Sequence, residues 1–121
     1  MANSTQNRID FLYKISLFIL LASQEGIEIL CYYFHRNLIE QAKLYSQGRD
    51  KPGKIVTYCD GVEKESFHQK WFAMDFVIVK DGKLIWKYIP EYDTLGKIWE
   101  SLGGKWGGFF NKFKDIYHFQ L

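Results

Sequence analysis

The chain has 121 residues, of which 47% are hydrophobic, 18% aromatic and 25% charged, with a formal net charge of +2. That length and composition suit one domain able to bury its own core without staples, and a balance so near neutral gives no argument for nucleic acid, which needs clustered Lys and Arg. The two cysteines, Cys31 and Cys59, form neither a CxxC pair nor a Cys/His cluster and read as reduced core thiols.

Residues 1–7 are polar and expected to be disordered. A helix is expected over 9–24, stopped by Glu25-Gly26. Its apolar run 15–22 is too short for a bilayer, which takes about 20 residues. The run imitates the core of a signal peptide, but Asp10 upstream and Ser23-Gln24 downstream argue for a buried helix, with no stable membrane insertion. Residues 27–34 are β-branched and aromatic, hence a buried strand. Helical spacing follows over 38–47, ended by Gly48, then a loop around Pro52-Gly53 and a short extended piece at 55–58.

After a charged loop at 60–65, residues 71–80 alternate as a strand with Ala73, Asp75 and Val77 on one face. Asp81-Gly82 signals a hairpin returning at 84–88. A helix is expected over 92–102, a turn-rich stretch at Trp106-Gly107-Gly108 and a last strand at 117–121. With no repeat, low-complexity segment or linker, residues 1–121 read as one small α+β domain, an antiparallel sheet flanked by helices.

Three histidines are present, His35, His68 and His118. Asp75 stands in an apolar strand, where a carboxylate is costly to bury unless paired or metal-bound. His68 precedes it across a bend, and Asp115 lies three residues before His118. Two imidazoles and one carboxylate can hold a catalytic zinc with a fourth position open for water, and a further carboxylate can move the proton. On spacing alone, a salt-bridged Asp75 beside two packing histidines competes with this reading.

The motifs around these residues are more specific. Ser66, His68, Ala73 and Asp75 stand in the order S-x-H-x-x-G-x-A-x-D, and Asp115 with His118-Phe119 follows [DE]-x-x-H. Both resemble motifs of the D-alanyl-D-alanine carboxypeptidase family of zinc peptidases. Arg36 through Gln41, Leu44 through Arg49 and Pro52 through Thr57 are similar to the R-[ST]-x-x-E-Q…LYxQGR…PGKIVT stretch of phage endolysins of that family. Leu95 through Gly108 resembles their LGxxWExLGxxWGG stretch. The resemblance covers roughly residues 30 to 120, in the family's order.

The resemblance implies a hedgehog/DD-peptidase-like fold and the L-alanyl-D-glutamate endopeptidase branch, which cuts the peptide stem of bacterial peptidoglycan. It implies Zn2+ held by His68, Asp75 and His118, Asp115 as general base, and Arg36 as oxyanion donor. Ser66, His35 and Trp106 are expected as substrate-binding or supporting residues. A carboxypeptidase or dipeptidase with the same site, or a wall-binding module that has lost catalysis, are the alternatives. The lysin setting further implies residence in the host cytoplasm, a holin-type permeabilising partner and a monomer. Three positions depart from the pattern: Trp71 stands where the family has Gly, His35 where an aromatic precedes the Arg, and Gln120 where an acid follows His-Phe.

Overall fold

The computed structural model describes residues 4–121. Helix α1 (Ser4–Gln24) carries Phe11, Ile15, Phe18 and Ala22 on one buried stripe, the spacing of a single helix face. It begins ahead of the expected start, so residues 4–7, expected to be disordered, are helical; residues 1–3 lie outside the described residues. Its end is closed by Gly26 at φ 73, with the Ile27 N–H donating back to the Ala22 carbonyl at 3.0 Å. Ile27 and Ala22 are both buried, the apolar contact that accompanies such a closure. The apolar run 15–22 thus lies in a packed helix, and no helix among the described residues is long and apolar enough to cross a membrane.

Strand β1 (Glu28–Tyr33) pairs antiparallel with the central strand β2 (Ala73–Lys80). The other edge of β2 is shared by β3 (Lys83–Ile85) at its end and β5 (His118–Gln120) at its start, and β5 pairs with β4 (Lys105–Trp106). The hairpin turns on Asp81 and Gly82, both at positive φ (52 and 74), as a two-residue turn requires. The return strand is shorter than the expected 84–88. The buried Tyr92 hydroxyl enters the ladder there, accepting from the Ile78 N–H at 3.0 Å and donating to the Ile85 carbonyl at 2.7 Å. Residues 55–58, expected to be extended, form no strand.

Helix α2 (Leu38–Ser46) opens on a capping box: the Asn37 side chain accepts from the Glu40 N–H at 2.8 Å, and Glu40 reaches back to the Asn37 N–H. Asn37 stands where the quoted family stretch has Ser or Thr, residue types that also cap helices. Helix α3 (Pro90–Ser101) starts on Pro90, whose missing N–H costs nothing in a first turn.

Alternation along β2 sends Met74, Phe76 and Ile78 into a core shared with α1 and α3, where the rings of Phe11, Phe18, Trp99 and Phe119 meet. Ala73, Asp75 and Val77 take the opposite face. Trp106, on β4, is 2% exposed and lies flat against Gly96 of α3. A Cβ at Gly96 would fall inside the indole. Gly96→Ala is therefore expected to lower stability by about 1–3 kcal/mol, the usual cost of overpacking, read as a shifted urea midpoint at unchanged slope.

Candidate metal centre and active site

Three elements bring three side chains to one point on the open face of the sheet. Asp75 and His118 are direct partners across β2 and β5, so their side chains share a face. His68 arrives from the turn at 66–71, which is docked on the end of β1 by the Arg36 N–H donating to the His68 carbonyl at 3.2 Å. Asp75 Oδ1 lies 3.3 Å from His68 Nε2 and 3.2 Å from His118 Nδ1, and the two nitrogens are 3.2 Å apart.

The remaining ring hydrogens are committed elsewhere. His68 Nδ1–H donates to the Phe34 carbonyl at 2.7 Å, and His118 Nε2–H donates to Gln120 Oε1 at 2.8 Å. When neutral, both rings therefore turn lone pairs toward the Asp75 oxygen. In that state the three atoms together can hold a metal ion. Three ligands of a tetrahedral ion with bonds of about 2.0 Å sit about 3.3 Å from one another, which is the triangle observed. Gln120, where the family pattern has an acid, supplies the acceptor that orients the ring.

Asp75 is buried, which pushes its carboxyl up. The hydrogen bonds and charge of His118 and His68 outweigh that and hold it below the ordinary carboxylate range. For His118, burial pulls the imidazole down, but the hydrogen bond and charge of Asp75 win and raise it. Asp115 moves the other way from Asp75. Burial, then the neighbouring Asp75 charge, raises its carboxyl, which suits a group that must both take and return a proton. Its position is set by backbone. The Asp115 N–H donates to the Gly107 carbonyl at 3.0 Å, and its Oδ1 accepts from the Tyr117 N–H at 3.0 Å. No Cβ fits at Gly107, because the Asp115 carbonyl lies against it.

A cavity of about 500 Å³ opens beside this cluster; His68, Asp75, His118, Asp115, Arg36 and Ser66 all line it. Arg36 Nη1 donates to Gln41 Oε1 at 2.8 Å, while its Nε is buried without a partner among the described residues. Gln41 is itself fully buried and donates to the Cys59 carbonyl at 2.7 Å. It fixes the guanidinium, a role missed from sequence although the Glu40-Gln41 pair stood in a quoted motif. Ser66 clasps its own turn, donating its N–H to Gln69 Oε1 at 3.0 Å and accepting the Gln69 N–H at 3.3 Å.

Two expected site residues lie elsewhere. His35 does not line the cavity; its ring stacks on Trp71, with centroids 3.9 Å apart and planes 12° apart. Trp106 is a core residue, its indole N–H donating to the Ile116 carbonyl at 2.8 Å. The cysteines are free thiols, as expected, but not core residues: Cys31 is exposed and Cys59 half-buried.

Trp71 explains the placement of His35. It holds φ 68, the left-handed conformation that the family pattern meets with Gly. The strain is offset by packing, since the indole lies between His35, the edge of Phe34 and the Arg8 guanidinium, 4.7 Å from its centroid. Phe34 carries the carbonyl that orients His68, so the ring braces a residue of the candidate metal site.

The pattern of comparisons agrees with the geometry. Residues 60–121 match a family model described as D-alanyl-D-alanine carboxypeptidase. The chain is 38% identical over 109 residues to the peptidoglycan L-alanyl-D-glutamate endopeptidase CwlK of Bacillus subtilis (strain 168), covering 83% of this chain and 64% of that protein. The chain thus spans a little under two thirds of that relative's length. The L-Ala D-Glu endopeptidase ChiX of Serratia marcescens has a similar fold, with TM-score 0.68 and 21% identity over 99% of this chain and 86% of that one.

Trp71→Gly is expected to be more stable than Trp71→Ala by about 1 kcal/mol, because both lose the stack but only Ala keeps the left-handed strain; thermal melts of the pair decide this. Gln120→Leu, which removes the acceptor from His118, is expected to weaken divalent-metal binding about 10–100-fold in competition with a chromophoric chelator.

Proposed function

Because the chain belongs to the D-alanyl-D-alanine carboxypeptidase family, we propose that it is a zinc peptidase of peptidoglycan that hydrolyses the L-Ala–D-Glu bond of the peptide stem. The convergence of His68, Asp75 and His118 as three bare acceptors is the observation that carries the chemistry. The relative named as an L-alanyl-D-glutamate endopeptidase supports the choice of bond. Two nitrogens and one oxygen in a tetrahedral face favour zinc.

When bound, the ion activates a water and polarises the scissile carbonyl. The chain's own residues do the rest. Asp115, its carboxyl raised by burial, accepts a proton from the attacking water and delivers it to the leaving amine. Arg36, held by Gln41, offers donors to the oxygen on which charge develops. The cavity beside the ligands receives the stem, and Lys64 and Lys112 on its wall match the carboxylates of that peptide. The phage-lysin setting, with host cytoplasm and a holin-type partner, is supported by the motif resemblance.

Mass spectrometry of digested muropeptides tests the reading. Fragments beginning with a free D-Glu amine are expected, abolished by chelator and restored by zinc. Release of terminal D-Ala instead would assign the carboxypeptidase reaction. Asp115→Asn is expected to lower kcat by about 10²–10⁴-fold while still binding one zinc. Zinc binding and wall binding with no product from the unaltered protein would assign the non-catalytic module.

A further inference from the structure

The face of the sheet that carries Asp75 and His118 does not end at the metal ligands. Along the same surface Tyr32 of β1 meets Trp86, just beyond β3, with ring centroids 4.9 Å apart and nearly perpendicular planes. Both rings pack on Tyr117, at 6.5 and 5.5 Å. Tyr117 is the residue whose N–H holds the Asp115 carboxylate. The Tyr32 hydroxyl lies close enough to Asp75 and Asp115 that their charges, after burial, push its ionisation up. Yet Trp86 is 52% exposed and Tyr32 42% exposed. This is an aromatic platform wet on one side and tied to the reacting centre on the other, and no step above uses it.

The chemistry of the substrate names an occupant. The inference rests on the reading that the L-Ala–D-Glu bond is the one cut. In peptidoglycan, L-Ala joins the glycan directly, through the lactyl ether of an N-acetylated amino sugar. Only one residue and that short link separate the scissile carbonyl from the pyranose, about two residue lengths or about 7 Å. The sugar must therefore lie beside the metal ligands. The cationic cavity, with Lys64 and Lys112, suits the carboxylate-rich side of the stem that leaves with D-Glu. The acyl side, which is uncharged, is left to the aromatic platform, whose Trp86 and Tyr32 are not among the residues lining that cavity. Pyranose rings present a face of polarised C–H bonds, and the negative face of an aromatic ring is their complement.

We propose that Trp86, with Tyr32, forms a glycan subsite that stacks the amino sugar on the acyl side of the scissile bond. The platform selects stems still attached to glycan over free peptides and contributes to binding rather than to the chemical step.

The test uses the full zinc-loaded chain and two substrates with the same bond: the stem on its N-acetylated disaccharide, and the same stem with only an acetyl group on L-Ala. The unaltered protein is expected to prefer the disaccharide form. Trp86→Ala is expected to lower the ratio of kcat/KM values, disaccharide form over free stem, about tenfold, mainly through KM, the size of one lost aromatic contact. Trp86→Phe, which keeps a ring, is expected to recover most of it. The peptide-free lactyl disaccharide should shift the Trp86 indole N–H resonance, a readout independent of turnover. An unchanged ratio in Trp86→Ala with an unshifted indole signal overturns the proposal. So does a dimer by sedimentation that Trp86→Ala dissociates without changing the ratio, which would assign the face to a second copy. Failure to cleave either substrate, with the indole signal shifted by disaccharide, would instead sink the bond assignment and leave the subsite standing.

Discussion

A carboxylate at Asp75, in the middle of a sheet and nearly closed to water, is tolerable only if something positive stands beside it. Two imidazoles approach it; when neutral, each gives its one hydrogen to an outward acceptor, Phe34 for His68 and Gln120 for His118, so either a proton on a ring or a metal ion among the three supplies that charge. The site is thus built to hold a positive charge, and much of the structure keeps the three side chains aimed at one point. Sheet register is the first requirement. Asp75 opposes His118 across β2 and β5, and a slip of one residue would send one of them into the apolar core.

The core answers that requirement from below. Two indoles donate to backbone of the C-terminal segment: Trp99 to the Gln120 carbonyl at 2.8 Å and Trp106 to the Ile116 carbonyl at 2.8 Å. Buried indole N–H groups need partners, and here their partners flank Asp115 and His118. Gly107 lets the chain pass directly against the Asp115 carbonyl. The aromatic abundance of the sequence is therefore divided. One set of rings forms the core and pins the strand that carries the site, while Tyr32 and Trp86 remain on the open face.

What was legible in the sequence follows from this division. Strands and helices showed through periodicity, and Asp75 through an acid in an apolar strand, because these are local signals; the family motifs joined His68 and His118 to it. Whether His35 and Trp106 bind substrate or support the site was not legible, because an aromatic side chain near a motif reads the same whether it faces a cavity or a core; the stack on Trp71 and the packing on Gly96 put both in supporting positions. The length of β3 was misread because the Tyr92 hydroxyl that interrupts the ladder comes from a different element. Gln41 was overlooked because burial of an amide between Arg36 and the Cys59 carbonyl leaves no mark on spacing.

The positions that depart from the family pattern bear on whether the site is kept or decaying. Asn37 replaces Ser or Thr and still caps α2. Trp71 stands where the family has Gly and holds a positive φ that Gly adopts freely, with His35, Phe34 and Arg8 packed around the ring to offset the strain. Gln120 replaces an acid and still accepts from His118. A site drifting after loss of catalysis has no reason to keep the physical role at each altered position, least of all where doing so takes a stack of several side chains. His35 and Trp71 read as one exchange: the aromatic before Arg36 and the glycine at the turn changed into rings that fit each other. That compensation favours an enzyme over a wall-binding remnant. It also gives His68 a stiffer support than glycine alone would, because the brace reaches from α1 through the indole to the backbone that orients the ligand.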